Sequence, residues 1–542
     1  MPISNTSFRE IPRTSGLFAD FLYDFDRVAP FFSSDAKNGN LAERARRVTA
    51  QEFSRNEVAD ALRDQNAAVG AGEATFANIE LLRDRDSVVV ITGQQAGLFT
   101  GPLFTIYKAL TVIKLTARLR EQGLKVVPMF WIASEDHDFA EINNCQIVNR
   151  DGRLQKIAYT ACEPKEGKPV GRVELCAEID EQIAQISAAL PESEVVSQIE
   201  KDLRSAYKSG INFAAAFARL VTSLFAQYGV VTIDPLDERL KRVARNIYSS
   251  AITHIDEFTS SLLDASEALV KAGYHAQVHI TKESVPLFYL NDGRRTALQR
   301  EPDGSFLVKG TQTRFSQAEI LERIEQCPGC FSPNVTLRPI VQDYLVPSLA
   351  YIGGPAELAY FAQIRPGYKT LGRLEPVIVP RASMTLVEKR VAKTLEKHQL
   401  RFTDLLHGHD AVLEKVFSKN LYDSTDGVFE ESEKIIGDQL DKLVSSLSAV
   451  EPTLADALKG GREKVRYQLT NLRTRFIHNR AKHDETTNQQ IERVLTVLYP
   501  NKNLQEREIN VAYFLTRYGY GLIDRLLQEI DLDSSDHQLI SL

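Results

Sequence analysis

Apolar positions divide the chain into two textures. Up to about residue 384, short continuous apolar runs alternate with amphipathic segments. The clearest runs are SVVVIT (87–92), KVVPMFWIA (125–133), GVVTID (229–234) and EPVIVP (375–380). Continuous rather than alternating apolar residues suit parallel strands covered by helices on both faces. Between the first two runs lies FTIYKALTVIKLTARLREQG, which reads as an amphipathic helix ending in basic residues and Gly123. The unit is β-α-β, its crossover is expected to be right-handed, and it opens a doubly wound sheet.

Two stretches interrupt this rhythm. Residues 145–228 are more polar, with turns at NRDGR and CEPKEGKP, and residues 275–335 contain LNDGRRTALQREPDGSF, which reads as a hairpin with Asp-Gly turns. Both are predicted to be insertions in the core. After about 385 glycine becomes sparse. Ile436, Leu440, Leu443, Leu447 and Val450 recur at steps of four and three, as do Val465, Leu469, Leu472 and Phe476. This is the apolar seam of a coiled coil. Pro452 and Gly460-Gly461 are expected to break the run into a helical hairpin, packed either on itself alone or also against a second copy. The last stretch, NVAYFLTRYGYGLIDRLLQEIDL, is aromatic-rich and is expected to return to the core. The predicted organisation is a core over 1–384, a helical coiled coil over 385–500 and a returning segment over 501–542.

Composition narrows the function classes. A chain of 542 residues holds more than one core, roughly three units of ~150 residues. Its formal charge of −7 supplies no overall basic field for nucleic acid. No run of about 18 apolar residues suggests a membrane span, and no apolar leader opens the sequence, so a cytoplasmic protein is expected. Five cysteines, Cys145, Cys162, Cys176, Cys327 and Cys330, show no framework spacing and suit a reducing compartment. CPGC at 327–330 has the gap of half a zinc knuckle but no second pair. It reads as a turn with two reduced thiols, with zinc as the alternative.

Candidate chemistry gathers at strand ends. The first strand runs into a loop with Gly93, Gly97 and Gly101, which matches neither a Walker A loop nor a dinucleotide fingerprint. Its glycines, with Gln94, Gln95, Thr92 and Thr100, suit an anion near the next helix N-terminus; otherwise it is a tight turn. The second strand ends in Glu135, Asp136, His137 and Asp138. A histidine between aspartates suits acid/base work, Mg²⁺ or a substrate ammonium, and the plainer reading is a helix cap. In extended geometry Asp136 and Asp138 would face one way and Glu135 and His137 the other. Gly353-Gly354-Pro355, with Glu357 in the first turn, reads as a helix start. Arg381, Ser383 and Thr385 follow a strand end and suit a phosphate, or in Arg381's case a surface ion pair.

Taken together, TGQQAGLFTGPLFTIYKA, PMFWIASEDHDFAEIN, YLVPSLAYIGGPAELAYFAQI and PVIVPRASMTLVE resemble the bacillithiol biosynthesis cysteine-adding family, BshC, over nearly the whole chain. The resemblance implies a Rossmann-like core similar to class I aminoacyl-tRNA synthetases, with connecting-peptide insertions and a C-terminal coiled coil associated with homodimerisation. It implies a ligase that joins cysteine to the amine of glucosaminyl-malate, with ATP and Mg²⁺ as expected cofactors. The loop at 93–101 would stand where synthetases carry HIGH, and Arg381 to Thr385 near the place of KMSKS. Neither histidine of HIGH lies in 93–104, and RASMT has no lysine. On these grounds Gly93, Gln94, Gln95, Gly97, Thr100, Gly101, Gly353, Gly354, Arg381 and Ser383 are expected to bind nucleotide or substrate. Asp136, His137 and Asp138 are expected to be catalytic. The alternative is a nucleotide-binding scaffold or sensor acting through its coiled coil.

Overall fold

The computed structural model describes residues 5–34, 40–162, 165–419, 426–451 and 455–542. Its centre is a five-stranded parallel sheet built from β1 (Val88–Gln94), β2 (Val126–Ile132), β3 (Val231–Ile233), β4 (Ser348–Gly353) and β5 (Val377–Pro380). Helices α1 (Phe104–Glu121), α2 (Glu238–Thr253) and α3 (Pro355–Thr370) follow β1, β3 and β4. The spatial order is β5-β4-β1-β2-β3. The chain moves outward from β1 through β2 to β3, then returns to the other side of β1 with β4. Strand order therefore reverses between β1 and β4, the switch point where open α/β sheets form their ligand crevice.

The four apolar runs all enter this sheet, and Val88 to Ile91 are at most 1 % exposed, as strands covered on both faces must be. The strand that the pattern did not reveal is β4. SLAYIG carries fewer β-branched residues than its neighbours and reads more readily as the approach to a helix.

Both insertions form small sheets. Asn144–Val148 pairs with Leu154–Ala158 across the NRDGR turn. In the second turn stretch, CEPKEGKP, Glu163 and Pro164 lie outside the described residues. Ser284–Asn291 and Arg294–Arg300 form the hairpin expected at the first Asp-Gly turn, within a five-stranded antiparallel sheet that ends in Phe331–Pro333. Cys162–Cys176 and Cys327–Cys330 are bonded pairs, with Cα separations of 6.3 and 5.4 Å, inside the span that a disulfide bridges. This corrects the reading of CPGC as reduced thiols and removes cysteine usage as an argument for a reducing compartment. Cys145 alone is free, and burial pushes its thiol up to about 12.

Beyond residue 384, helices Asp426–Val450 and Ala455–His483 lie against each other. Phe429 meets Phe476 and Asp441 meets Arg462, which makes the pair antiparallel. The break expected at Gly460-Gly461 does not occur. The second helix runs through both glycines, at a cost of about 1 kcal/mol each relative to alanine. Pro452 lies outside the described residues. The chain then returns: Gln538–Ser541 pairs in parallel with Met384–Val387. Among the described residues, no helix is long and apolar enough to cross a membrane.

Candidate functional site at the sheet switch point

A crevice of about 670 Å³ opens at the carboxyl ends of β1 and β4. Gly93, Gln94, Gln95, Asp136, Gly354 and Arg381 of the expected set line it. Lys108, buried on the mostly apolar helix α1, ties its two halves together. The Lys108 ammonium donates to Gly93 O at 2.7 Å and to Gln94 Oε1 at 3.0 Å, and pairs with Glu357 Oε2 at 2.5 Å. Glu357 in turn accepts from the Tyr351 hydroxyl at 2.5 Å and from Gly354 N at 2.8 Å. Burial lowers Lys108 from its ordinary value, against the pull of Glu357. Burial alone would raise Glu357, but Lys108, with the hydrogen bonds from Tyr351 and Gly354, holds the carboxyl below its ordinary value. With all three protons engaged, Lys108 organises the crevice. Free donors must come from elsewhere.

Arginines supply them. Arg338 lies over the rings of Trp131 and Tyr351 and donates to the Tyr360 hydroxyl at 3.0 Å. Arg381 lies over Phe104, donates to Glu506 Oε1 at 2.7 Å and to Ala382 O at 3.0 Å, and sets its Nε beside Gly354. Arg507 reaches the same crevice from the C-terminal region. Guanidinium groups are suited to carboxylate and phosphate oxygens.

The opposite side carries carboxylates, with Arg295 among them. Asp136 Oδ2 accepts from Gln95 Nε2 at 2.6 Å, and the same Gln95 nitrogen donates to Glu141 Oε2 at 2.9 Å. Glu135 also borders the crevice and pairs with buried Lys241, which donates to Phe331 O at 2.9 Å as well. The expected alternation of side chains does not persist, because the strand ends at Ile132 and the chain turns. His137 Nδ1 accepts from Arg295 Nη1 at 3.3 Å, which leaves any ring proton on Nε2. Burial and the Arg295 charge lower His137 from its ordinary value, outweighing Asp136 and Asp138. Asp138 caps the short helix Phe139–Ile142 by accepting from Glu141 N at 3.2 Å. His137 and Asp138 thus do not line the crevice, and Asp138 serves as a helix cap.

The rest of the glycine loop also turns away. Leu98 and Phe99 are at most 1 % exposed, and Phe99 and Thr100 have positive φ values of 52° and 79°. Asn510 Nδ2 donates to both Phe99 O and Gly101 O at 2.7 Å, and the Tyr207 hydroxyl accepts from Phe99 N at 2.9 Å. A Cβ on Gly97 would lie 2.9 Å from Gly101 Cα. Gly97, Thr100 and Gly101 are therefore a docking point for the C-terminal segment, because the loop's carbonyls face Asn510. Gly353 sits beneath the crevice, its carbonyl accepting from Arg381 N at 2.8 Å. Ser383 points into a buried cluster, donating to Glu506 Oε1 at 2.9 Å with His537 Nδ1 at 2.8 Å. Burial lowers the His537 ring to about 4, so it is neutral at ordinary pH.

Sequence reasoning passed over Lys108, Arg338, Glu506 and Arg507, and read Glu357 only as part of a helix start. For Lys108 a signal existed: one lysine interrupts a run whose neighbours Ile106, Tyr107, Ala109 and Leu110 are all buried. Arg507 carried none, because nothing local places residue 507 beside residue 93.

Residues 1–382 match the N-terminal Rossmann-like domain of bacillithiol biosynthesis BshC, and residues 384–542 its C-terminal coiled-coil domain. A relative from Koribacter versatilis, named "Putative cysteine ligase BshC", is 38 % identical over 519 residues, covering 96 % of each chain. One of the same name from Salinibacter ruber is 35 % identical over 545 residues, covering 99 % of each. A solved structure from Campylobacter jejuni described as an arginyl-tRNA synthetase aligns with 84 % of this chain and 98 % of its own. Its TM-score of 0.23 and identity of 12 % are too low to bear on the fold.

Proposed function

Because the chain belongs to the bacillithiol biosynthesis BshC family, we propose that its switch-point crevice joins the carboxylate of cysteine to the amine of glucosaminyl-malate. The observation that carries this reading is one crevice lined by Arg338, Arg381 and Arg507 on one side and by Asp136 and Glu141, with Arg295 beside them, on the other. An amide-forming site must hold oxyanions and an amine side by side, and these sides match the two demands.

A free carboxylate is a poor electrophile. ATP with Mg²⁺, when bound, supplies the leaving group that activates it. The residues present fit such a group: Arg338, Arg381 and Arg507 would hold phosphate or carboxylate oxygens, while Asp136 and Glu141 would accept from an ammonium or border the cation. Gly93 and Gly354 let a ligand approach the backbone, and a Cβ at Gly93 would lie 3.3 Å from the Tyr351 hydroxyl. Asp136, fixed by Gln95, aligns the incoming amine and takes its proton as the C–N bond forms. Lys108 and Glu357 keep the ends of β1 and β4 in register throughout. In this reading His137 braces Arg295, which lines the crevice beside Asp136. The coiled coil joins two copies through its exposed seam.

Mass spectrometry of the purified protein incubated with glucosaminyl-malate, cysteine, ATP and Mg²⁺ tests the reading. Cysteine joined to the sugar amine with release of AMP and pyrophosphate supports it with adenylate chemistry; ADP release supports an acyl-phosphate route. Folded protein that binds ATP yet forms no joined product contradicts it.

A further inference from the structure

The one-turn helix Gln505–Glu508 belongs to the C-terminal domain, yet it packs against the end of the Rossmann-like core. Three of its four side chains are fully engaged. Gln505 accepts from Leu386 N at 2.8 Å and donates to Leu386 O at 3.0 Å and Val497 O at 2.9 Å, which fixes the helix on the strand Met384–Val387. Glu508 accepts from Gln146 at 2.8 Å, Asn501 at 2.9 Å and Asn503 at 3.0 Å. Glu506 is 1 % exposed and accepts from Arg381, from Ser383 and, at 3.0 Å, from Met384 N.

Arg507 is the exception. Its side chain lines the crevice and has no hydrogen-bond or ion-pair partner among the described residues. Partial burial in the wall and the neighbouring charge of Arg381 hold it below its ordinary value, against Glu506 and Glu508. Two guanidiniums on one wall, with the nearest carboxylate spent on Arg381 and on backbone, leave positive charge that a ligand oxyanion would neutralise.

Resting on the function proposed above, we propose that Arg507 is a substrate-binding residue. It acts with Arg381 on one oxyanion group, a carboxylate or a phosphate, and Glu506 is the positioning residue that aims Arg381. The C-terminal domain is thereby part of the active site and not only an arm for association.

The test uses full-length wild type, Arg507→Ala, Arg507→Lys and Glu506→Gln. Calorimetry with malate alone and with Mg·ATP alone reads binding, and steady-state assays read KM for glucosaminyl-malate and for ATP. Loss of a charge-assisted contact predicts roughly ten- to a hundredfold weaker binding of one of the two probes in Arg507→Ala, with partial recovery in Arg507→Lys. Weakened malate binding assigns the oxyanion to a carboxylate; weakened Mg·ATP binding assigns it to a phosphate. Glu506→Gln should raise KM for that same substrate and leave the other unchanged, which a merely structural role would not do. Should Glu506→Gln fail to fold, Arg507→Ala alone decides, since residue 507 is exposed. An active wild type with Arg507→Ala indistinguishable in both affinities and both KM values overturns the inference and leaves the ligation reading standing. An inactive wild type whose probe binding is lost in Arg507→Ala overturns the ligation reading and leaves the inference standing.

Discussion

The crevice and the helical hairpin are built inside out relative to each other. In the crevice wall a lysine is 3 % exposed and its glutamate partner 17 %, while the hairpin leaves Leu443 at 48 %, Leu472 at 57 % and Val450 at 82 %. Buried charge is expensive and persists only where partners hold it. Exposed apolar residues at helical spacing mark a face that another surface covers. Among the described residues the crevice buries charge in pairs, while the hairpin leaves part of its apolar seam exposed.

The largest expected effect comes from breaking the buried pair. Lys108→Met strands Glu357 in the wall and should cost about 3–5 kcal/mol of stability, read by urea unfolding, with the ligation rate falling beyond what the unfolded fraction explains. A loss under 1 kcal/mol would mean that the pair does not hold the switch point.

Next is His537, which is fully buried and whose ring is held near 4 against an ordinary 6.5. Between those pH values the unfolded chain binds the proton that the folded chain refuses, so stability falls as pH drops, by roughly 3 kcal/mol over the window. Wild type minus His537→Gln should show that slope in denaturant titrations at pH 7 and pH 4. A flat difference refutes a neutral buried ring.

Asn510→Ala should cost about 1–3 kcal/mol by leaving the carbonyls of Phe99 and Gly101 without their donor. The KM for ATP should stay unchanged, because this loop docks the C-terminal segment. A large rise in KM would restore the loop as a phosphate cradle.

The smallest effect belongs to the hairpin. Leu472→Glu should change the melting free energy by no more than about 0.5 kcal/mol and leave turnover per chain intact. Light scattering should show loss of a dimer. Equal stability with no change in mass would mean that the seam serves something other than a second copy.

The sequence made the sheet legible where strands are continuous and β-branched, as in 87–92, and hid β4, whose Ala-Tyr-rich stretch lacks that signature. At the site, residues adjacent to strand ends were legible: Gly93, Gln95, Asp136, Gly354 and Arg381 all reach the crevice. Gly97, Thr100 and Gly101 lie away from the crevice because the loop's partner, Asn510, comes from some four hundred residues along the chain. Ser383 followed the same logic toward Glu506 and His537. Local grammar shows where a loop begins, and a distant element decides which way it faces.

The most direct test of the account is a crystal structure with glucosaminyl-malate bound. The account predicts its carboxylates against Arg338, Arg381 or Arg507 and its amine toward Asp136, inside the switch-point crevice. Density instead in the smaller cavity of about 320 Å³ on the far side of the Arg381 loop, lined by Arg118 and Asp533, would contradict it.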